Sequence, residues 1–153
     1  MNLIRRYVRR LMITVFAIDG VEYVNDKKSA IKESELCLMY ALDDDRPHSQ
    51  KQIAGEWLIP KTTLNTIVKQ WEREGLLTLA EIPGKRREMQ ICLTETGKER
   101  ARASLAYIYE AEEKAMAKTL ERYLPSFIEA MEYFSTALQE AFENQEPREK
   151  GNI

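Results

Sequence analysis

The sequence has few of the residues that build metal sites, disulfide frameworks or tight turns. It contains one histidine, His48, and two cysteines, Cys37 and Cys92, which lie far apart in apolar patterns. A structural metal site and a disulfide framework are therefore both disfavoured, and a reducing cytoplasm is the expected compartment. Only 6 glycines and 5 prolines occur in 153 residues, which argues for long helices over a turn-rich all-β fold.

Motifs typical of active sites are missing as well. We find no glycine-rich phosphate loop and no nucleophile motif, and the polar surroundings of His48 indicate a loop residue more than a ligand. We therefore expect no catalytic residue, no cofactor and no bound metal, and an enzyme is the least favoured of three functional classes.

Long hydrophobic runs are also absent, since no segment is long enough to span a bilayer. The N-terminus resembles a signal peptide weakly, but its apolar run 11–18 is short and no small-residue cleavage site follows. Apolar residues from Leu3 to Phe16 repeat at helical spacing instead, which predicts an amphipathic helix of the mature protein and no membrane partner. Four arginines fill the gaps and are interpreted as a solvent face or phosphate contacts: Arg5, Arg6, Arg9 and Arg10.

Positive charge is concentrated in the middle of the chain. The net charge is −2, but residues 1–48 carry 8 basic and 8 acidic side chains, residues 49–102 carry 10 and 7, and residues 103–153 carry 5 and 10. The middle is therefore positive and the C-terminal third negative, although the overall charge is near zero.

Two short helices are predicted at the start of this positive region. A mostly buried helix precedes the positive region and ends in the acidic run 43–45. Ser49 and Gln52 then fit a capping box, so that a helix should begin there; its predicted apolar face is Ile53, Ala54, Trp57 and Leu58. Pro60 suits the start of the next helix because its φ is preset and its missing N–H is not needed there.

The second of these helices has two contrasting faces. Helical spacing places Leu64, Ile67, Val68 and Trp71 on one face, which predicts burial in a core. The other face carries lysines and short hydrogen-bonding side chains, with no carboxylate before Glu72: Lys61, Thr62, Thr63, Asn65, Thr66 and Lys69. A solvated face is the bland interpretation, but helix, tight turn and second helix together indicate a helix-turn-helix.

A basic hairpin follows the glycine stop at Gly75. The segments 76–82 and 88–94 have strand composition and flank a Pro-Gly turn, which predicts a hairpin. We place Lys85, Arg86 and Arg87 at its tip; a plain solvated turn is the alternative. A helix-turn-helix followed by such a hairpin is a winged helix.

The remaining chain is predicted to be helical. Thr94 should cap a helix running from Lys98 to about Tyr123, and a second helix should follow Pro125. The expected fold class is mainly α with a small β-hairpin wing, a winged helix-turn-helix plus further helices.

The chemistry of the positive region favours double-stranded DNA as partner. A helix of this size fits the major groove, where Asn pairs with adenine, Thr contacts base edges or the thymine methyl, and Lys reaches guanine or phosphate. Wing arginines suit the narrow, negative minor groove. Backbone N–H groups of Ser49 and Gln50 are further candidates for phosphate contacts.

Other conspicuous residues have ordinary interpretations that are favoured. Trp57 and Trp71 are expected to pack in the core. Cys37 is either a peroxide-sensing thiol or an inert buried cysteine, and its apolar neighbours favour the second. Four tyrosines either line a cavity for an aromatic effector or pack, and packing is favoured for most of them: Tyr107, Tyr109, Tyr123 and Tyr133.

Two stretches resemble the MarR family of winged-helix transcriptional regulators. Residues 59–77 are similar to the family's recognition helix, often Pro-Lys-x-Thr-Val-Asn with a later Glu-x-x-Gly end, here Pro60, Lys61, Thr63, Leu64, Asn65 and Glu72 to Gly75. Residues 85–97 are similar to its wing and exit, an Arg followed by Leu-Thr-x-x-Gly, here Arg87, Leu93, Thr94 and Gly97. The order of flanking helices agrees across nearly the whole chain. The sequence departs from the family pattern at one position, where Lys85 stands in place of the usual Asp.

The resemblance implies a homodimer, in which the N-terminal and C-terminal helices intertwine as a helical dimerisation domain and two recognition helices meet a pseudo-palindromic site. The divisions that it implies are 1–30 for an N-terminal helix of the dimerisation domain, 31–97 for the winged helix-turn-helix DNA-binding domain, 98–144 for the C-terminal dimerisation helices and 145–153 for a disordered tail. It also implies a small aromatic effector bound between the dimerisation and DNA-binding regions, although the residues themselves identify no ligand. The leading hypothesis is a dimeric, sequence-specific regulator, more often a repressor. The alternative is a winged-helix protein-interaction module without sequence-specific DNA binding.

Overall fold

The structure, a computed structural model, describes residues 2–145. Residues 146–153 of the predicted tail lie outside the described part of the chain. The described elements are α1 (Leu3–Asp26), α2 (Glu33–Leu42), β1 (His48–Ser49), α3 (Gln50–Glu56), α4 (Lys61–Arg73), β2 (Leu77–Ile82), β3 (Lys85–Leu93), α5 (Glu95–Leu120) and α6 (Ser126–Glu143). This order confirms the predicted fold class, and the chain divides into two compact units between Tyr107 and Ile108.

The core of the first unit lies between α2, α3, α4, the sheet and the beginning of α5. Its most deeply buried large side chains come from all of these elements: Trp71, Leu38, Met39, Ile53, Leu77, Ile91 and Leu105. Each such side chain contributes about 1.5–3 kcal/mol when it leaves water. These contacts hold α4 against α2, α3 and β2.

A third strand joins the predicted hairpin. The two residues of β1 pair antiparallel with β3, His48 opposite Ile91 and Ser49 opposite Gln90, and the strand order is β1-β3-β2. His48 is therefore not the loop residue that we expected. Two residues are too short for any periodic pattern, and their pairing is with a segment more than 40 positions away, so that local sequence could not indicate it.

The turn between α3 and α4 corrects one core assignment. Leu58 was placed on the apolar face of the first helix, but its side chain is 85% exposed. The helix ends at Glu56, and Leu58 has a φ of +51°. This left-handed residue turns the chain before Pro60 and takes the side chain off the helical face. Trp57 is 38% exposed and packs against Tyr40 with ring centroids 5.4 Å apart, so that its burial is only partial.

The exit from the sheet explains the Leu-Thr-x-x-Gly motif. Thr94 Oγ1 accepts from the N–H of Gly97 at 3.1 Å, as predicted for a cap, and α5 begins at Glu95, earlier than expected. The backbone of Gly97 lies against the carbonyl of Leu76, and a Cβ there would be 1.9 Å from that oxygen. Only glycine allows this approach.

Three consecutive aspartates after α2 contact α5 and β1. Asp45 Oδ1 lies 2.7 Å from Lys98 Nζ, Asp43 Oδ1 lies 3.5 Å from Arg102 Nε, and Asp44 Oδ1 lies 2.8 Å from His48 Nε2. The hydrogen bond from Lys98 lowers the pKa of Asp45, and the same contact raises the pKa of Lys98. The acidic run therefore does more than end a helix, because it fastens the segment after α2 to the first turns of α5.

Two helices carry apolar faces that their own units leave uncovered. In α1, apolar side chains are exposed along its length, among them Ile4, Tyr7, Phe16 and Val21. In α6 no residue is buried, and Ile128, Met131, Leu138 and Phe142 are all exposed. Within residues 2–145, no helix combines the length and apolar character needed to cross a lipid bilayer.

Candidate nucleic-acid interface

Helix α4 presents its polar face to solvent while its other face is fixed in the core. Leu64, Val68 and Trp71 are almost fully buried and Ile67 nearly so, as predicted. On the opposite face Lys61, Thr62, Asn65, Thr66 and Lys69 are exposed, and Thr63 is half-buried. The buried row sets the rotation of the helix, and this rotation decides which side chains face outwards.

The exposed face offers a mixed set of chemical groups. The Thr66 hydroxyl donates to the carbonyl oxygen of Thr62 at 2.9 Å, so that it presents an acceptor oxygen and a methyl group to a partner. Asn65 has both a donor and an acceptor. In the part of the chain that the structure describes, Lys61 and Lys69 make no ion pair with any carboxylate. This combination suits base edges and phosphates together.

Gly75 and an ion pair of Glu74 lie at the C-terminal end of α4. Gly75 has a φ of +73°, the left-handed conformation that commonly ends a helix. Glu74 accepts from Gln70 at 2.8 Å and pairs with Arg100 at 3.3 Å. The nearest paired carboxylate is thus held at the C-terminal end of the helix, away from its polar first turns.

Helix α3 begins at the cap predicted from sequence. Ser49 Oγ accepts from the N–H of Gln52 at 3.0 Å, and the amide of Gln52 donates to Glu56 at 2.9 Å. Ser49 and Gln50 are half-buried at this helix start. Their proposed phosphate contact stays a prediction.

The wing has a different apex from the one predicted. Pro83 and Gly84 form the turn, Gly84 has a φ of +81°, and Lys85 already pairs with Ile82 as the first residue of β3. Pro at the second position and a left-handed Gly at the third are typical of a type II turn. The three basic residues therefore follow the turn, at the beginning of β3, and all of them are exposed: Lys85, Arg86 and Arg87.

A register shift separates these basic residues from the rest of the sheet. Ile82 is opposite Lys85, but the next partner of β2, Glu81, is opposite Met89. Residues 86–88 are therefore extra residues on β3, in a bulge. Bulges bend a strand and redirect its side chains, which no local pattern in the sequence had indicated.

The charges of the bulge differ in their partners. Lys85 Nζ donates to Glu88 Oε2 at 3.2 Å, and Lys51 Nζ lies 4.0 Å from Glu88 Oε1. Arg86 and Arg87 make no ion pair with any residue of the described range 2–145. Sequence reasoning named three equivalent wing cations, whereas the structure separates one paired lysine from two unpaired arginines.

The winged helix can now be compared with known proteins. Residues 31–88 match the model of the MarR family, and this range contains α2, the helix-turn-helix and the wing up to its bulge. The region 31–88 is therefore similar to the winged helix of the MarR family. Members of this family are transcription regulators.

Solved structures resemble this chain over nearly its full length. A MarR family regulator from Neisseria meningitidis has 23% sequence identity, a TM-score of 0.63, and coverage of 94% of this chain and 95% of its own. NadR in complex with 4-hydroxyphenylacetate has 16% identity, a TM-score of 0.58, and coverage of 87% and 94%. The overoxidized AbfR bound to DNA has 15% identity, a TM-score of 0.55, and coverage of 90% and 96%. At these identities the similarity shows the fold. Among curated proteins, none matches the chain.

Some candidate residues lie outside the polar face of α4 and the bulge of the wing. Cys37 and Cys92 are half-buried and are not joined in a disulfide. Of the tyrosines considered for an effector cavity, Tyr107, Tyr123 and Tyr133 are exposed and Tyr109 is half-buried. In the described chain, no group of three or more His, Cys, Asp or Glu side chains is placed to hold a metal ion.

Proposed function

We propose that this chain is a homodimeric, sequence-specific transcription regulator of the MarR family, acting as a repressor on a pseudo-palindromic operator. The observation that carries the proposal is the polar face of α4. Its lysines are unpaired, its exposed side chains can hydrogen-bond to base edges, and its buried row holds that face outwards. A helix in this setting matches the way in which helix-turn-helix proteins read the major groove.

The surface divides into residues that select a sequence and residues that supply affinity. Thr62, Thr63, Asn65 and Thr66 are the proposed base-reading residues, with Lys61 and Lys69 reaching guanine or phosphate. The wing residues Lys85, Arg86 and Arg87 supply positive charge beside the helix, and Ser49 and Gln50 supply backbone N–H groups to phosphate. The DNA-bound state of AbfR, a protein of the same fold, supports this type of partner.

The uncovered apolar faces support self-association. Large apolar side chains are exposed along α1, and separately along α6, and a monomer in water would leave them unburied. A second copy of the chain is the proposed cover, and two-fold symmetry would then present two α4 helices to two half-sites. The two half-buried cysteines, which are not joined in a disulfide, accord with a reducing cytoplasm as the place of action.

Relief of repression by a small aromatic effector is a further part of the proposal. The support is the complex of NadR, a protein of the same fold, with 4-hydroxyphenylacetate. Sensitivity would show as weaker operator binding in the presence of a phenolic carboxylate, tested first with 4-hydroxyphenylacetate itself.

The deciding experiment is fluorescence-anisotropy binding at two salt concentrations. One DNA is the region just upstream of the protein's own gene and the other is the same region scrambled. The proposal expects tight, salt-sensitive binding that prefers the upstream DNA. If fragments selected from the whole genome are also bound no better than scrambled DNA, the protein-interaction module is the better description.

A further inference from the structure

Glu88 occupies an unusual position in the wing. It is the last of the three residues that β3 leaves outside the pairing with β2. Its side chain is only 26% exposed, while its neighbours Arg86 and Arg87 are exposed. A carboxylate on a surface that is meant to approach phosphates is repulsive, so its placement calls for a structural reason.

Glu88 contacts two cations from different elements. Its Oε2 accepts from Lys85 Nζ at 3.2 Å, across the length of the bulge. Its Oε1 lies 4.0 Å from Nζ of Lys51, which belongs to α3. One carboxylate thus links the first residue of β3 to the helix that precedes the recognition helix.

The pairing of β1 with β3 brings Lys51 to this place. Ser49 is opposite Gln90, and because the pairing is antiparallel, two residues after Ser49 and two residues before Gln90 lead to Lys51 and Glu88. Strand β1 ends at Ser49, but the chain continues into α3, and Lys51 in the first turn of α3 therefore lies beside Glu88 of the bulge. The contact therefore follows from the strand that the sequence did not indicate.

We propose that Glu88 is a positioning residue of the DNA-binding wing. It holds the bulge against α3 and draws Lys51 and Lys85 towards itself and away from phosphates, so that Arg86 and Arg87 are the main cations that the wing presents. The inference rests on the proposed function. Its consequence is selectivity: free lysines would strengthen contacts to any phosphate backbone, whereas two arginines at a fixed place act only where the groove fits them.

The test compares Glu88→Gln with Glu81→Gln. Both changes keep the size of the side chain and remove one negative charge from the wing. Glu81 is an exposed residue of β2 that makes no ion pair within residues 2–145, which makes it the matched control. Binding to operator and to scrambled DNA is measured over a range of salt concentrations.

Distinct results are expected for the two variants. In Glu88→Gln, affinity for scrambled DNA should rise about three- to tenfold, because the released lysines can bind phosphates. The slope of log affinity against log salt concentration should steepen by about one to two units, since each neutralised phosphate contributes about 0.9 to it. The ratio of operator to scrambled affinity should fall. In Glu81→Gln, any gain should be smaller, with slope and ratio unchanged. Equal behaviour of the two variants would overturn the proposal, because net charge alone would then account for both.

Hydrogen exchange of the DNA-free protein gives a second readout. Amides of residues 85–90 should exchange about two- to fivefold faster in Glu88→Gln, with no such change in Glu81→Gln, because only the first variant releases the bulge. Unchanged exchange in Glu88→Gln would contradict the positioning role alone. A wild-type protein that prefers no DNA sequence would contradict the proposed function and the role in DNA binding together.

Discussion

The hydroxyl of Thr94 donates a hydrogen bond of 2.6 Å to the carbonyl oxygen of Gly75. Gly75 ends the recognition helix, and Thr94 stands immediately before α5, 19 positions later in the chain. The hydroxyl oxygen of Thr94 also accepts a hydrogen bond from the N–H of Gly97. One hydroxyl therefore joins the end of α4 to the start of α5. The placement of the recognition helix therefore depends on a residue outside the helix-turn-helix.

Replacing Thr94 by Val should destabilise the fold by about 1–2 kcal/mol, because it removes a helix cap and leaves the Gly75 carbonyl without this partner. Urea denaturation at a fixed protein concentration measures the change. Thr119→Val is the control within the same helix. The Thr119 hydroxyl bonds only to the carbonyl of Ala115, one turn earlier, and its loss should change the free energy of unfolding by no more than about 0.5 kcal/mol. Equal losses in both variants would argue against a special role for Thr94.

Gly97 should not tolerate even one added carbon. Gly97→Ala places a Cβ 1.9 Å from the carbonyl oxygen of Leu76, which is backbone and cannot move alone. The expected loss is about 3 kcal/mol or more in the free energy of unfolding.

Gly55→Ala is the matched control for this substitution. Gly55 lies in α3 with nothing within 4 Å of the added carbon, so that this change should stabilise by about 0.5–1 kcal/mol through helix propensity. A Gly97→Ala protein as stable as wild type would mean that α5 does not begin where the structure places it.

Periodic patterns accounted for what the sequence predicted well. The buried row Leu64, Ile67, Val68 and Trp71 was predictable because a helix with one buried face must repeat its apolar residues every three to four positions. The cap at Ser49 and the glycine stop at Gly75 were predictable because each satisfies a local backbone requirement.

The features that escaped prediction depend on distant parts of the chain. Strand β1 exists only because β3 pairs with it, and the bulge at 86–88 is a property of register, which two strands determine together. The contact between Lys51 and Glu88 needs both features. Leu58 was misplaced for a local reason, since a left-handed residue in a non-glycine position interrupts the helical spacing that had assigned it to the core.

Asn65 is the residue with which base selection is best tested. Asn65→Ala should cost about 1–3 kcal/mol in binding to the operator and much less on scrambled DNA, because the lost hydrogen bonds are specific for one base. Anisotropy titrations with both DNAs, at one salt concentration, measure the difference. An equal loss on both would assign Asn65 to the phosphate backbone.

The unpaired arginines should account for most of the wing's contribution. The double change Arg86→Ala and Arg87→Ala should weaken binding and flatten the salt slope by about 0.9 for each phosphate that the protein no longer neutralises. Lys85→Ala should have a smaller effect, because Glu88 already engages Lys85. The triple change at 85, 86 and 87 should therefore resemble the double change.

A control for total charge is available at the end of α1. Lys27→Ala with Lys28→Ala also removes two positive charges, from residues that follow α1 in a different part of the chain. If it weakens DNA binding as much as the arginine double change does, the wing has no specific role. Triple-variant affinity equal to that of wild type would lead to the same conclusion.

Acid stability should depend on Asp45. The hydrogen bond from Lys98 holds the folded-state pKa of Asp45 below its ordinary value of 3.8. A lowered folded pKa gives a stabilising contribution that is fully present above the unfolded-state value and is lost as the pH falls through the folded value. Asp45→Asn should therefore lower stability near neutral pH and flatten the decline below about pH 4.

Asparagine suits this position because Asp45 has a φ of +58°, and asparagine tolerates the left-handed region. Urea midpoints from pH 3 to pH 7 provide the measurement. Asp19→Asn, at an exposed position of α1 without an ion pair in the described chain, should leave the shape of the pH profile unchanged. Parallel profiles for wild type and Asp45→Asn would show that the contact with Lys98 contributes nothing in solution.

A wing that must stand out from the protein has an exposed edge, and such edges can recruit strands from other molecules. The order β1-β3-β2 leaves one side of β2 without a neighbour. That edge is only six residues long, ends at Pro83, and loses its regular register at Glu81 and Ile82. Natural sheets avoid edge-to-edge aggregation by means of short edge strands, prolines, charged side chains and bulges. The irregular register beside Arg86 and Arg87 therefore also disfavours pairing of this edge with another strand, and straightening the wing would bring a risk of aggregation at high concentration.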